Sequence, residues 1–406
     1  MTVAVSRAGG PGGETAGFRM PGVLVEDVTP PVPRTLLTGV PVFLGYADEV
    51  GGPQELSGWQ AFRDAFGAGP DDGLLAAAVH EFFAGGGRLC HVVGLDPGLS
   101  PAAALTQGLA AAHDLAAADL VCTPDVMRPS VLGTGKPEAA AAALQAEVLA
   151  DCRRVGGRFA ILDAVPTPDT DVVLRHRAAL DGAVRALEGV DSADGALYHP
   201  WPWAPGPDGT LGYVPPCGRV AAVYARTDAA VGAHKAPANE VLEGVVDLLA
   251  DVPDADAGRL LAAGVNCLLA RPGRGIRVWG ARTVSSDPAW RHVGARRVVL
   301  TVGRWLERFL DGAVFEPHDL RLRVRVMREL SAYLEGLHAV GALRGATADE
   351  AFFVKCDAET TPPELAAAGV LVTTVGLALT APAEFLVLRI TRGPSGVTAG
   401  PSSVPA

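Results

Sequence analysis

Lysine is nearly missing from this chain of 406 residues. Lys136, Lys235 and Lys355 are the only three, so arginine carries almost all of the positive charge. The 34 basic residues are outnumbered by 45 acidic ones, and the formal charge of −11 excludes a general nucleic-acid binder, which presents a basic surface. Cysteine is sparse and dispersed. Cys90, Cys122, Cys152, Cys217, Cys267 and Cys356 stand at least 30 positions apart, so there is no CxxC metal or redox motif. They read as small buried hydrophobes of a reducing compartment. The N-terminal stretch MTVAVSRAGGPGGETAG lacks the apolar core of a signal peptide. No run of about 18 apolar residues is free of charges and breakers, so no membrane span or direct membrane insertion is expected. These absences predict a protein made and folded in the cytoplasm, which reaches the outside, if at all, without a secretion signal.

What is present is core-forming material. Hydrophobic residues make up 49% and charged residues 19%, which excludes a disordered chain. At about 100–200 residues per domain the length predicts two or three domains.

Residues 1–19 are Gly-rich and polar. Met20–Val28 contains a short strand pattern, and Thr29–Pro33 is a stiff extended linker. Such a strand, between a polar tail and a proline hinge, has no partner nearby in sequence and must pair elsewhere. From Val40 the pattern turns α/β. Apolar strands are predicted at Pro41–Tyr46, Leu89–Val93, Leu120–Pro124 and Phe159–Asp163, with helices at Leu74–Ala84, Glu138–Val155 and Val172–Leu187. This alternation predicts a mainly parallel sheet covered on both faces. Residues 197–240 are rich in turns and aromatics, and helices or loops follow to about Leu269. The composition then shifts toward arginine. Arg296–Leu300 leads into a helix with Val302, Trp305, Leu306, Phe309 and Leu310 on one face. A second long helix, Leu320–Leu343, has a Leu322, Val326, Leu330, Tyr333 and Leu337 stripe. Val370–Val375 and Glu384–Ile390 read as closing strands, and the Gly/Pro/Ser-rich stretch from Gly393 as a flexible tail.

Candidates for chemistry are thin. Gly133-Thr-Gly-Lys136 is not a phosphate loop, because Ser130 stands where the first glycine belongs and Pro137 replaces the Mg²⁺-binding hydroxyl. Gly85–Gly87 lies between a helix and a strand, the reverse of a dinucleotide fingerprint, and reads as a helix-end turn. Asp163 at a strand end is a candidate catalytic carboxylate without a GxSxG serine or a recognisable histidine partner. The nine histidines are scattered singly, with no HxxxH or HExxH pair. Trp201 and Trp203 are a candidate stacking pair for a sugar or base, or a packed loop. Arg321, Arg325 and Arg328 share one helix face opposite the apolar stripe. With Arg291, Arg296 and Arg297 they make this region locally basic, either as a solvated face or as a dock for an acidic partner.

The run Val278–Trp290 (VWGARTVSSDPAW) resembles a signature of contractile tail sheath proteins, the outer tubes of contractile phage tails, R-type pyocins and extracellular contractile injection systems. Met20–Val28 resembles the family's PGVYVEEV arm, and Glu81–Val93 its FFxNGGGxxYVV segment. Ala196–Trp201, Val214–Asp228, His234–Asn239, Val314–Asp319, Gly345–Thr347, Ala351–Asp357 and Pro382–Phe385 also fit, in family order from about 20 to 392. The resemblance implies a structural subunit, not an enzyme, that needs no cofactor and binds no metal or nucleic acid. It polymerises helically around an inner tube and contracts to drive that tube through a target envelope. The implied partners are further copies of the chain, the tube protein, and baseplate and cap proteins, assembled in the bacterial cytoplasm and released in extracellular particles. The implied layout is an N-terminal arm (1–30), an outer α/β domain (31–280), an α+β tube-facing domain (281–392) and a tail (393–406). The arm strands Gly22, Val23, Leu24, Val25, Glu26 and Glu384, Phe385, Leu386, Val387, Leu388 would add to neighbouring subunits, with Thr29–Pro33 as a hinge. Arg321, Arg325 and Arg328 would face the tube. The competing reading of the same α/β pattern is a hydrolase or nucleotide-dependent enzyme.

Overall fold

A computed structural model describes residues 36–187, 190, 192–311, 319–379, 381, 383–393 and 396–401. The predicted strand at 22–26, the Thr29–Pro33 linker and most of the Val314–Asp319 motif lie outside the described residues. Six strands form a parallel core: β1 (Pro41–Gly45), β3 (Cys90–Gly94), β4 (Leu120–Cys122), β5 (Phe159–Asp163), β6 (Gly195–His199) and β10 (Val265–Arg271). One antiparallel strand closes each edge, β2 (Gly51–Leu56) beside β3 and β11 (Gly275–Trp279) beside β10. The full order is β11-β10-β6-β5-β4-β1-β3-β2. Sequences such as PVFLG and FAILD are buried along their whole length, as strands covered on both faces must be.

Alternating side chains divide the core in two. Val42 and Leu44 face helices α3 (Pro101–Ala111), α5 (Pro137–Val155), α6 (Thr170–Ala186) and α8 (Asp254–Ala262), with the one-turn α4 (Pro129–Leu132) beside them. Phe43 faces α1 (Trp59–Phe66), α2 (Leu75–Ala84), α7 (Pro216–Ala230) and the start of α9 (Val293–Asp311). Helix α7 falls in a stretch read from sequence as turns and aromatics. It is buried nearly all round, with Cys217, Val220, Ala221, Val223 and Tyr224 inside and Arg219 and Asp228 paired internally, so it shows no apolar stripe opposite a solvent face. A small sheet of β7 (Pro202–Pro205), β8 (Leu211–Tyr213) and β9 (Asp247–Leu248) sits beside the main one in sequence.

The C-terminal region is a four-stranded antiparallel sheet, β12 (Phe352–Lys355), β13 (Leu371–Ala378), β14 (Phe385–Gly393) and β15 (Gly396–Pro401), with α10 (Leu320–Ala339) alongside β12. The Gly396–Pro401 part of the expected flexible tail is therefore a strand, paired with β14 from Leu388↔Pro401 to Gly393↔Gly396.

Helix α9 joins the two parts. It carries three buried arginines into the α/β body, Arg296 and Arg297 in its first half and Arg304 just past its middle. Arg297 donates to both Asp228 oxygens (2.7 and 2.5 Å) and to Asp119 (2.8 Å), and lies over the Tyr224 ring. Asp119 in turn accepts from the backbone N–H groups of Gly39 and Val40, which lead into β1. Arg296 grips Asp194 with two bonds of 2.6 and 3.1 Å, and Arg304 donates to the carbonyls of Ala116 and Ala117. The second half of α9 stacks Trp305 on Tyr333 of α10, and α9 also touches β14 and β15. The expected domain boundary at 280/281 thus assigns α9 to one side, whereas its packing serves both.

Burial works against the Arg297 charge, but Asp228 and Asp119 outweigh it and raise its pKa. Removing one carboxylate strands a buried charge. Asp228→Ala should cost about 3–5 kcal/mol of unfolding free energy, read by denaturant titration, with Asp228→Asn losing less. A change below about 1 kcal/mol, the scale of an exposed pair, would show that the network is dispensable.

Candidate functional site

Open α/β sheets bind ligands at strand C-termini where the strand order reverses. Here that point is β1, flanked by β3 on one side and β4 on the other. The crevice is plugged. The Asp125 carboxylate accepts from the N–H groups of Tyr46 (2.5 Å) and Leu74 (2.6 Å), and Arg128 covers the Tyr46 ring at 4.5 Å while pairing with Asp72. Burial pushes the Asp125 pKa up to about 6. The space left among Leu44, Tyr46, Leu95, Thr123 and Asp125 is about 10 Å³, against a few hundred for a ligand pocket.

Asp163, the candidate carboxylate at the end of β5, is sealed in. Its Oδ1 accepts from the Cys217 N–H (2.7 Å) at the first turn of α7, and burial raises its pKa to about 7. A carboxylate there satisfies an orphan helix donor and complements the helix dipole. The Cys217 thiol is pushed up by burial, so it is no nucleophile. His199 is also fully buried, with neither ring nitrogen hydrogen-bonded among the described residues. Trp201 is buried with its indole N–H on the Ala164 carbonyl (2.7 Å); only Trp203 is half exposed, edge-on to Tyr213. The Gly133–Lys136 stretch is an exposed loop leading into α5. No group of three or more His, Cys, Asp and Glu side chains among the described residues is placed to hold a metal.

The features that remain are surfaces. A groove of about 730 Å³ lies among α7, α9 and α10, lined by Leu36, Val231, Val298, Leu337 and Val340. Its apolar lining offers area for packing and little for chemistry. On α10, Arg321 and Arg328 are exposed beside two exposed apolar residues, Leu320 (74%) and Val324 (49%). Arg325 instead turns partly inward over the Phe309 ring, and Arg328 pairs with Glu329 (2.6 Å). Arg296 and Arg297, counted in sequence with the basic surface, are 3% and 2% exposed and belong to the internal network. Residues Phe385–Leu388 are paired within their own chain, Leu377 with Leu386 and Val375 with Leu388, and Glu384 precedes that strand. Among the described residues the outer strands of this sheet are β12 and β15.

The run Val278–Trp290 ties layers together. Val284 N–H donates to the Gly195 carbonyl, Arg177 donates to the Val284 carbonyl, and Thr283 Oγ1 to the Trp290 carbonyl. These bonds, with Val293 N–H on the Ala281 carbonyl, hold β6, α6 and the start of α9 in one register, which gives the run a structural role.

Residues 126–284 match the model of the phage tail sheath protein central domain. The whole chain is similar to a chain of the anti-feeding prophage baseplate, at 27% identity over 91% of this chain and 97% of that one (TM-score 0.67). It is also similar to the contracted sheath complex of the PVC extracellular contractile injection system, at 25% identity over 91% and 97% (TM-score 0.70). A sheath tail protein of Desulfitobacterium hafniense, 11% identical over 92% of this chain and 100% of that one, shares the fold (TM-score 0.61). No curated protein sequence matches the chain.

His199 supplies a test of the sealed interior. Burial lowers its pKa from 6.5 to about 4, so the folded state holds it neutral. Its contribution is present above pH 6.5 and is lost as pH falls toward 4. Relative to His199→Phe, the native chain should lose roughly 3 kcal/mol between pH 7 and pH 4, read by denaturant titration at both pH values. Parallel losses in the two proteins would mean that the ring is solvated.

Proposed function

The chain belongs to the contractile tail sheath protein family, and from that premise we propose how it works: as a mechanical subunit that wraps helically around an inner tube and contracts, not as a catalyst. The observation that carries this is likeness over nine-tenths of the chain to a sheath in its contracted state. The plugged β1 crevice and the capped Asp163 support it, because they fill the places where a hydrolase or nucleotide enzyme would keep its pocket.

Each subunit moves nearly as a rigid body. Helix α9, pinned to the α/β body by its arginines and stacked through Trp305 on α10, makes the two parts one mechanical piece, so a trigger at a baseplate is transmitted as rotation. Contraction releases free energy stored at assembly, through a wider lattice with more buried contact, and needs no cofactor. Further copies, a tube, a baseplate and a cap are the partners of this reading, with assembly in the cytoplasm and release in extracellular particles. Residues 22–26, through the Thr29–Pro33 hinge, link one subunit to the next by strand addition, for which β12 and β15 offer open edges. The strand at 385–388 is satisfied within its own sheet, so it joins a neighbour only if β15 or β13 gives way. The α10 face of Leu320, Arg321, Val324 and Arg328 turns to an acidic tube surface, with Arg325 packed behind it.

Deleting residues 1–28 should leave a folded chain that forms no long sheaths by electron microscopy. Sheaths of ordinary length would remove the arm from the mechanism. Arg321→Glu with Arg328→Glu should cut co-sedimentation with the tube about tenfold at low salt; unchanged binding would mark a solvated face.

A further inference from the structure

Resting on the sheath reading, we propose that the two edges of the eight-stranded sheet meet head to tail between copies of this chain, an arginine edge on one against a carboxylate edge on the next. The charges are distributed for it. From Arg271 to His292 there are five arginines and one carboxylate, Asp287. From Tyr46 to Asp71 there are five carboxylates and one arginine, Arg63. The first stretch runs along β11 and the second along β2, and these are the opposite ends of the sheet.

On the β11 edge, Arg274 sits in the exposed turn, Arg277 on the strand and Arg282 past its end, where its backbone bridges His292 next to Arg291. Arg271 is paired with Asp254. Arg277 bonds only carbonyl and amide oxygens, those of Arg274 and Asn239. Within the described residues no carboxylate pairs with Arg274, Arg277, Arg282 or Arg291, and Glu240 and Glu243, on the segment along β11, are taken by Lys235 (2.7 Å) and Arg226 (3.1 Å). Burial and then the Arg282 and Arg291 charges lower the His292 pKa, a sign of positive potential left uncompensated. On the β2 edge, Asp48 accepts from the Ala68 N–H and Asp64 from the Gln60 amide, while Glu55 faces only His91, whose charged form burial disfavours. Glu49 is exposed. Each edge also has an exposed apolar residue, Trp279 (37% exposed) at the end of β11 and Val50 (53%) just before β2.

Neither edge is open for strand pairing. Asn239–Leu242 covers β11 with three backbone bonds of 2.7–3.0 Å. Strand β2 carries Pro53 and a register shift between Gly51 and Gln54, devices that block edge pairing. The contact is therefore made by side chains on and around the two edge strands, which are about 17–20 Å long. Different surfaces meeting head to tail make a heterologous contact, which repeats into rings or helices. It differs from the arm linkage, because it joins the rigid bodies directly.

Two variants test it. Arg274→Glu/Arg282→Glu/Arg291→Glu makes both edges acidic, and Glu49→Arg/Glu55→Arg/Asp64→Arg makes both basic. Each alone, checked for folding by circular dichroism, should need about tenfold or more higher concentration to assemble than the unaltered chain. An equimolar mixture should recover assembly, and added salt should weaken it. Ordinary assembly of either variant alone, or no recovery in the mixture while the unaltered chain forms sheaths, overturns this contact and leaves the sheath reading standing. Failure of the unaltered chain to assemble at any concentration overturns both. If a triple variant does not fold, Arg274→Glu and Glu49→Arg, at exposed positions, make the same comparison.

Discussion

The Arg297 guanidinium is the point on which the rest of the structure turns. It holds Asp228 on α7 and Asp119 at the start of β4, and through Asp119 it fixes Gly39 and Val40 at the entrance to β1. A charge buried this deeply is destabilising unless its partners are fixed in place, and here α7, the start of β4 and the entrance to β1 are held around it together. That requirement sets how α9 lies on the sheet. The placement of α9 then decides where Trp305 meets Tyr333, and hence how the C-terminal part is carried. The rigid rotation proposed for the subunit would be well served by such a network, because slipping by one helical residue would strand the charge.

Much of the α/β body was legible in sequence because its strands are fully buried. PVFLG, LVC and FAILD read as continuous apolar runs, and the glycines after α2 mark its end, with Gly85 N–H returning to the Glu81 carbonyl. Three kinds of element were not legible. Strand β2, with the sequence GGPQEL, has no alternation, since five of its six residues are exposed and its pairing is bulged. Helix α7 is buried on nearly every side, its charged residues included, so no solvent face reveals its period. Strand β15 is a Gly/Pro-rich stretch that becomes a strand only because β14 offers an edge. In each, tertiary context overrides local preference.

The surfaces divide the same way. The α10 arginines were placed on one face by helical spacing, and two of the three stand exposed there. Spacing could not tell Arg296 and Arg297, which are buried, from Arg291, because the acids that neutralise them lie 69 to 178 positions away. Nor could it show that the acidic and basic stretches end on opposite edges of one sheet, which follows only from the strand order.

Filled crevices and paired interior charges, with edges of opposite charge, suit a building block. Its sequence is spent on holding one shape and on meeting copies of itself, and the Val278–Trp290 run is a fastener in that shape. The most direct test is cryo-electron microscopy of the particle that carries the chain. The chain should trace a helical sheath around a tube, with the 41–379 body superposing between extended and contracted states while the links between subunits change. A body that refolds between the two states, or a chain found only as a free monomer beside the particle, would contradict it.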